Sequence, residues 1–177
     1  MEPNALVECA YQLMSVLKEE IAERRTVQPA FILLHDRHCE VLTFPLHLFA
    51  SAEGKAAVAR TFRNRALQTG AQGALMGVDS YCFIPDLAAM REANPRLVRA
   101  ATNAGIDALV RSGFGQKSEG ISVTLQTPGF HLLVQQMYAR GESSIVFGEL
   151  RTLDSRDVPM EGAGLFRIFG GQHVARG

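Results

Sequence analysis

The sequence predicts an α+β fold in which a mainly antiparallel sheet of about six strands carries three helices. Three observations support this prediction. Apolar residues recur at helical spacing near the N-terminus, two short β-rich runs follow with two residues between them, and further β-rich runs fill the C-terminal part. This segregation of helices and strands is typical of α+β architecture. The predicted order is α-β-β-α-β-α-β-β-β.

The first helix is predicted from Asn4 to Arg25. Its apolar stripe follows the three- and four-residue steps of an amphipathic helix and consists of Leu6, Ala10, Leu13, Met14, Leu17 and Ile21. Pro29 ends the helical segment, because proline disfavours helical conformation in the residue that precedes it. Between Ala30 and Phe44 two β-rich runs flank the pair "DR", which predicts an antiparallel hairpin.

The second helix is predicted to begin after Ser51, a typical N-cap residue, and to end at Gly70. The run "GALMGVDSYCFIP" then continues to Pro85. It is apolar and rich in small and aromatic residues, so it predicts a strand that is buried on both faces and central in the sheet.

The third helix is predicted between Asn94 as N-cap, with Pro95 at the first helical position, and Gly113 past its end. Next, "ISVTLQT" alternates apolar and polar residues, as a half-exposed strand does. Residues 130–139 fit both a helical stripe and a strand of a meander, and we favour the strand. "SSIVFGELRTL" and "LFRIF" are predicted strands, and a glycine-rich tail follows from about residue 170.

The composition predicts one domain over residues 1–177, with 47% hydrophobic and 20% charged residues. Eighteen basic residues balance eighteen acidic ones, so we expect neither nucleic acid nor a membrane surface as a partner. Three scattered cysteines and an acidic N-terminal segment suggest a reduced, cytoplasmic protein. No apolar run approaches the roughly 20 residues that a membrane span needs.

The hairpin carries the first candidate site. A two-residue connection places His35 and His38 opposite each other, with Cβ atoms roughly 4.5–5.5 Å apart, and strand alternation puts Glu40 on the same side. Two imidazoles and one carboxylate are a known metal-ligand set, so a divalent metal is one interpretation. The alternative, which we favour, is an exposed hairpin tip. Cys39 is predicted on the opposite side, as an inert core thiol beside Val41.

Other signatures of chemistry are weak. "GFGQKSEG" follows a helix instead of opening one, so we interpret it as a helix end and a loop, not a phosphate-binding loop. The sequence contains no "GxSxG", "HExxH" or paired "CxxC". Asp79 and Tyr81 end the central strand, where we favour a strand that leaves the core over a reactive site.

Four helix arginines form the second candidate site, namely Arg60, Arg63, Arg96 and Arg99. If the second and third helices lie side by side, these residues create a basic surface for an anion or an acidic partner. A solvated helix face is the alternative.

Several stretches carry a resemblance, namely "KAAVARTFRNRALQTGAQGALMGVDSYCFIPD", "ISVTLQT", "SIVFGELRTL" and "AGLFRIF". With these the chain resembles a loose group of small uncharacterised bacterial and phage α+β proteins, in which a helix leads into a strand ending in Glu-Ala-Trp. Asp79, Ser80 and Tyr81 stand at that place here. The resemblance implies the α+β fold and no particular activity.

The function that the sequence favours is a non-catalytic, cytoplasmic interaction or assembly protein that self-associates through sheet edges or helix faces. This prediction depends on the missing catalytic motifs and on β-rich runs that would be exposed edges if unpaired. No cofactor is predicted. Two alternatives stay open: a small metal-dependent enzyme that uses His35, His38 and Glu40, and an anion- or nucleotide-binding module that uses the helix arginines.

Overall fold

The computed structural model describes residues 1–24, 27–142, 144–156 and 168–169. A 3₁₀-helix at Leu46–Ala50 lies between the second strand and the second helix. The helices are α1 (Pro3–Arg24), α2 (Ala52–Thr69), α3 (Leu87–Glu92), α4 (Pro95–Ala104) and α5 (Ile106–Arg111). The strands are β1 (Ala30–Leu34), β2 (Cys39–Leu42), β3 (Gly73–Pro85), β4 (Gly115–Gln126), β5 (His131–Arg140) and β6 (Ile145–Asp154).

The described strands form one antiparallel sheet in the order β2-β1-β3-β4-β5-β6. β3 pairs with β4 from Ala74 opposite Gln126 to Pro85 opposite Gly115, which makes this ribbon the centre of the sheet. The α+β class and the antiparallel sheet are therefore confirmed. So are the central position of 73–85 and the strand at 130–139, which the sequence left ambiguous.

Helices cover the two faces of the sheet differently. α1 lies on one face, where its apolar stripe packs against β3, β4 and β5 through residues such as Leu75, Ile121 and Val134. We call this side the α1 face. α2 packs on the other side, with Phe62 against Phe31 of β1. Alternation along β3 sends successive side chains to the two clusters, which is why this strand had to be apolar throughout its first half.

The third predicted helix is divided in two. Asn94 accepts a hydrogen bond from the backbone N–H of Arg96 and Pro95 begins α4, as predicted. Gly105 then adopts φ 96°, which ends α4 and separates it from α5. The short helix α3, capped by the Asp86 carboxylate, was not predicted. These three helices enclose a cluster of their own around Phe114.

Two predictions about β4 were wrong. Ile121–Gln126 is buried on both faces, not half-exposed, and Gly115–Gly120 continues the strand instead of forming a loop. Two of the buried polar side chains of β4 have hydrogen-bond partners that are distant in the sequence: Gln135 Nε2 donates to Ser122 Oγ at 3.1 Å, and the Ile168 backbone N–H donates to Gln126 Oε1 at 2.8 Å. Alternating polarity indicates the face of each residue but not what covers that face.

The predicted last strand at "LFRIF" falls mostly on residues outside the described ranges, and so does the glycine-rich tail. A search of the described helices finds none that combines the length and the apolar character needed to cross a membrane.

Candidate functional site

The hairpin places His35 and His38 opposite each other, as predicted. The favoured interpretation of an exposed tip is wrong for His35, which is only 8% exposed and whose buried Nε2 makes no hydrogen bond, whereas His38 is exposed. The two residues follow the last β1–β2 pair, Leu34 opposite Cys39, and the His35 backbone N–H donates to the His38 carbonyl at 2.9 Å. Their imidazole rings stack with centroids 4.5 Å apart and planes inclined by 12°. Glu40 lies on the same side, with Oε2 3.8 Å from His35 Nε2.

These side chains do not converge as metal ligands do. Imidazole lone pairs lie in the ring plane, and rings stacked in parallel aim them side by side instead of at one point. The Glu40 carboxylate is already engaged, because Arg65 Nε of α2 donates to Oε1 at 2.8 Å. Within the described residues, no group of three or more His, Cys, Asp or Glu side chains is placed to hold a metal ion.

Cys39 is exposed and not part of the core, contrary to the prediction. Its neighbour on the same side, Val41, is exposed as well. The alternation along β2 was correct, but β2 is an edge strand and α1 packs over β3, β4 and β5 instead. Among the described residues, the helix packing leaves Cys39 and Val41 of β2 exposed, which local sequence does not reveal.

The four predicted arginines are divided between two parts of the molecule. Arg60 and Arg63 lie on α2, which packs in the cluster around Phe31, whereas Arg96 and Arg99 lie on α4, which packs in the cluster around Phe114. Arg99 also borders an open depression of about 600 Å³ between α3 and α4. The two arginine pairs therefore lie on helices that pack in different hydrophobic clusters, and a shared basic surface stays a prediction.

A polar network that the sequence did not predict lies on the α1 face. The Tyr138 hydroxyl donates to Asp79 Oδ1 at 2.6 Å and accepts from Arg140 Nη2 at 2.8 Å. Arg140 Nε donates to Glu119 Oε2 at 2.9 Å. The network connects β3, β4 and β5, so only the strand register could have revealed it, although Asp79 already stood out at the end of the central strand.

The network keeps Tyr138 protonated. Burial, followed by the hydrogen bond to Asp79 and the negative charges of Asp79 and Glu119, raises the pKa of its hydroxyl well above the ordinary value. A phenol held neutral in this way is a hydrogen-bond donor and not a base. The hydrogen bonds of these residues connect the central strands β3, β4 and β5.

We expect the free energy of unfolding to depend on Tyr138 at alkaline pH. A group whose pKa is raised in the folded state contributes stability below its unfolded pKa, about 10 for tyrosine, and loses it as the pH rises further. Urea unfolding at pH 8 to 11 should show a decline above pH 10, to which this residue adds at most about 1.4 kcal/mol per pH unit. Tyr138→Phe should remove that part, whereas Tyr81→Phe should keep it.

β6 is an exposed strand at one edge of the described sheet. Residues 148–153 are exposed on both faces of the sheet. Three large apolar side chains of this strand face solvent: Val146 is 64% exposed, Leu150 41% and Leu153 44%. Nothing among the described strands pairs with its outer edge, since the strand order ends at β6. We call this outer edge with its exposed side chains the β6 surface.

The β6 surface also contains an irregularity. Gln136 of β5 faces Leu150, and Tyr138 faces Phe147, so one β5 residue lies opposite both Gly148 and Glu149. This is a β-bulge, in which two residues occupy one position of the pairing. Gln136 Nε2 donates to the Gly148 carbonyl at 2.7 Å and holds the bulge in place.

Comparison of the chain with protein-family models, with curated proteins and with solved structures finds no match. The resemblance to small bacterial and phage proteins therefore stays a prediction, and any assignment of function depends on the geometry described above.

Proposed function

We propose that this protein is a cytoplasmic interaction or assembly protein without catalytic activity, and that it self-associates through the β6 surface. The observation that carries the proposal is a ten-residue edge strand with three exposed large apolar side chains. Unpaired N–H and C=O groups along such an edge are a template for another strand. Pairing with a second molecule satisfies these groups and covers the apolar side chains together.

The contrast with the opposite edge of the described sheet supports this choice of surface. β2 has four residues and exposes one large apolar side chain, Val41. Natural proteins blunt their edges by keeping the strand short, and β2 follows that rule while β6 does not. The two exposed charged side chains of β6, Glu149 and Arg151, are of opposite sign, so they do not repel a second copy as a row of lysines would.

The hydrogen bonds among the polar side chains of the sheet support a non-catalytic role. Asp79, Glu119, Tyr138 and Arg140 form hydrogen bonds with one another, so their polar groups are engaged in contacts between strands. Cys9 and Cys39 are both free thiols, which is usual for proteins of a reducing compartment. This supports the cytoplasmic location in the proposal.

We expect light scattering coupled to size-exclusion chromatography to give a mass at least twice that of one chain. Leu150→Lys should weaken association at least about tenfold, equivalent to about 1.4 kcal/mol, because it removes an apolar contact and places a charge in the interface. Leu67→Lys on α2 is the matched control, since Leu67 is similarly exposed but distant in the sequence from β6. A wild-type protein that stays monomeric at several hundred micromolar would contradict the proposal.

A further inference from the structure

We infer that the partner of β6 is the β6 strand of a second copy, paired antiparallel about a two-fold axis that passes beside Leu150. The inference rests on the proposed function. It adds the register of the strand pairing and the two-fold symmetry of the dimer. An antiparallel pair of identical strands is the isologous contact of a symmetric dimer, in which the same surface serves both molecules. It would join the two sheets edge to edge.

The pairing with β5 defines the positions that β6 offers. β5 contacts β6 over nine of its own residues, from Leu132 opposite Asp154 to Arg140 opposite Ile145, with Gly148 and Glu149 sharing one position. Leu150 is then the middle position, with four positions on either side. A two-fold axis at Leu150 therefore pairs the whole length of β6 with itself and leaves neither end unpaired.

This register matches every exposed apolar side chain of β6 with another. Counting the bulge as one position, Leu150 faces Leu150 of the second copy, and Val146 faces Leu153. The residues that face each other also lie on the same side of the sheet. Leu150 pairs with Gln136 on the α1 face, while Val146 and Leu153 pair with Ala139 and Leu133 on the other. Facing apolar pairs on one side of a sheet stabilise strand pairing.

The same register also places oppositely charged side chains of the two copies opposite each other. Glu149 and Arg151 flank Leu150 on the side opposite the α1 face, so the axis places Glu149 of each copy opposite Arg151 of the other. Both residues are exposed, and neither forms an ion pair within the described part of the chain. Opposite charges that face each other across strands are favourable, whereas like charges are unfavourable.

Neighbouring registers lose these matches. Moving the axis by one position toward the C-terminus places Arg151 opposite Arg151 and Leu150 opposite Thr152. Moving it by one position the other way places Glu149 opposite Glu149 and Val146 opposite Arg151. Each alternative brings like charges together and separates the apolar pairs, so the side chains select the axis at Leu150.

A charge-exchange experiment tests the register. Glu149→Arg and Arg151→Glu each place like charges opposite each other at two symmetric positions, so each variant alone should self-associate roughly tenfold more weakly than wild type at low salt. An equimolar mixture of the two variants restores opposite charges at both positions and should recover dimers of wild-type affinity. Sedimentation velocity of each variant and of the mixture measures this, with Arg63→Glu on α2 as the control for net charge.

The outcomes separate the register from the proposed function. A monomeric wild-type protein overturns both. A wild-type protein that associates, is weakened by Leu150→Lys and is unaffected by either charge variant overturns the register alone. The register is also overturned if each single variant weakens association and their mixture stays monomeric. Each charge would then matter for association, but Glu149 would not face Arg151 as the axis requires. Recovery in the mixture supports the register.

Discussion

The Phe31→Ala variant is expected to lose about 3–5 kcal/mol of unfolding free energy, the cost of deleting a large side chain from a packed core. Phe31 is fully buried in β1. Its ring lies at 5.0 Å from that of Phe44, 5.3 Å from Phe62 and 5.7 Å from Phe49, measured between centroids. It thereby joins the hairpin, the 3₁₀-helix and α2 in one aromatic cluster.

Urea unfolding followed by far-ultraviolet circular dichroism measures this loss. Tyr81→Ala is the control, because Tyr81 is an exposed aromatic residue of the same sheet, whose contact is with the Lys117 ammonium. Its removal should cost no more than about 1 kcal/mol. A loss below about 1.5 kcal/mol for Phe31→Ala would mean that the surrounding aromatic rings can fill the cavity left by the Phe31 ring. That result would contradict a tightly packed aromatic cluster.

The second large effect is expected from Gly54→Ala, which should reduce the free energy of unfolding by about 2 kcal/mol or more. In an open helix this change would stabilise by about 1 kcal/mol, since alanine has the higher helix propensity. Here the backbone of α2 approaches the 3₁₀-helix so closely that a Cβ on Gly54 would lie 2.1 Å from the Leu48 carbonyl oxygen. The clash is with backbone, so the two helices must move apart.

The same unfolding measurement checks the sign of the effect. Gly129→Ala is the matched control, because a Cβ at Gly129 meets no atom within 4 Å and the residue has an ordinary φ. We expect that control to change stability by less than about 0.5 kcal/mol. A stabilised Gly54→Ala protein would show that α2 does not rest on Leu48 as described.

Some of the candidate site could be predicted because it depends on local geometry. A two-residue connection and the alternation of a strand decide which side chains face each other, so the His35–His38 stack and the side of Glu40 followed from the sequence. The N-cap at Asn94 and the glycine stop after α2 are local in the same sense. Such features need only a few neighbouring residues.

The Tyr138 network and the β6 surface could not be predicted in this way. Tyr138, Asp79 and Glu119 lie on three different strands, and they meet only because of the order and register of those strands. A β-rich run such as "SSIVFGELRTL" predicts a strand, but not that the strand lies at the outside of the described sheet. The bulge at Gly148, which makes Leu150 the middle position, is likewise visible only beside β5.

The sequence by itself determined the α+β class, the hairpin and the side on which the hairpin residues lie, because periodicity is a property of neighbouring residues. Only the tertiary structure decided what covers each side. Helix α1 packs over β3 to β5 and leaves Cys39 exposed. The buried Gln126 gains a hydrogen-bond partner, whereas no strand of the described chain pairs with the outer edge of β6. Burial depends on contacts between residues far apart in the sequence, and those contacts are selected by the packing of the whole chain.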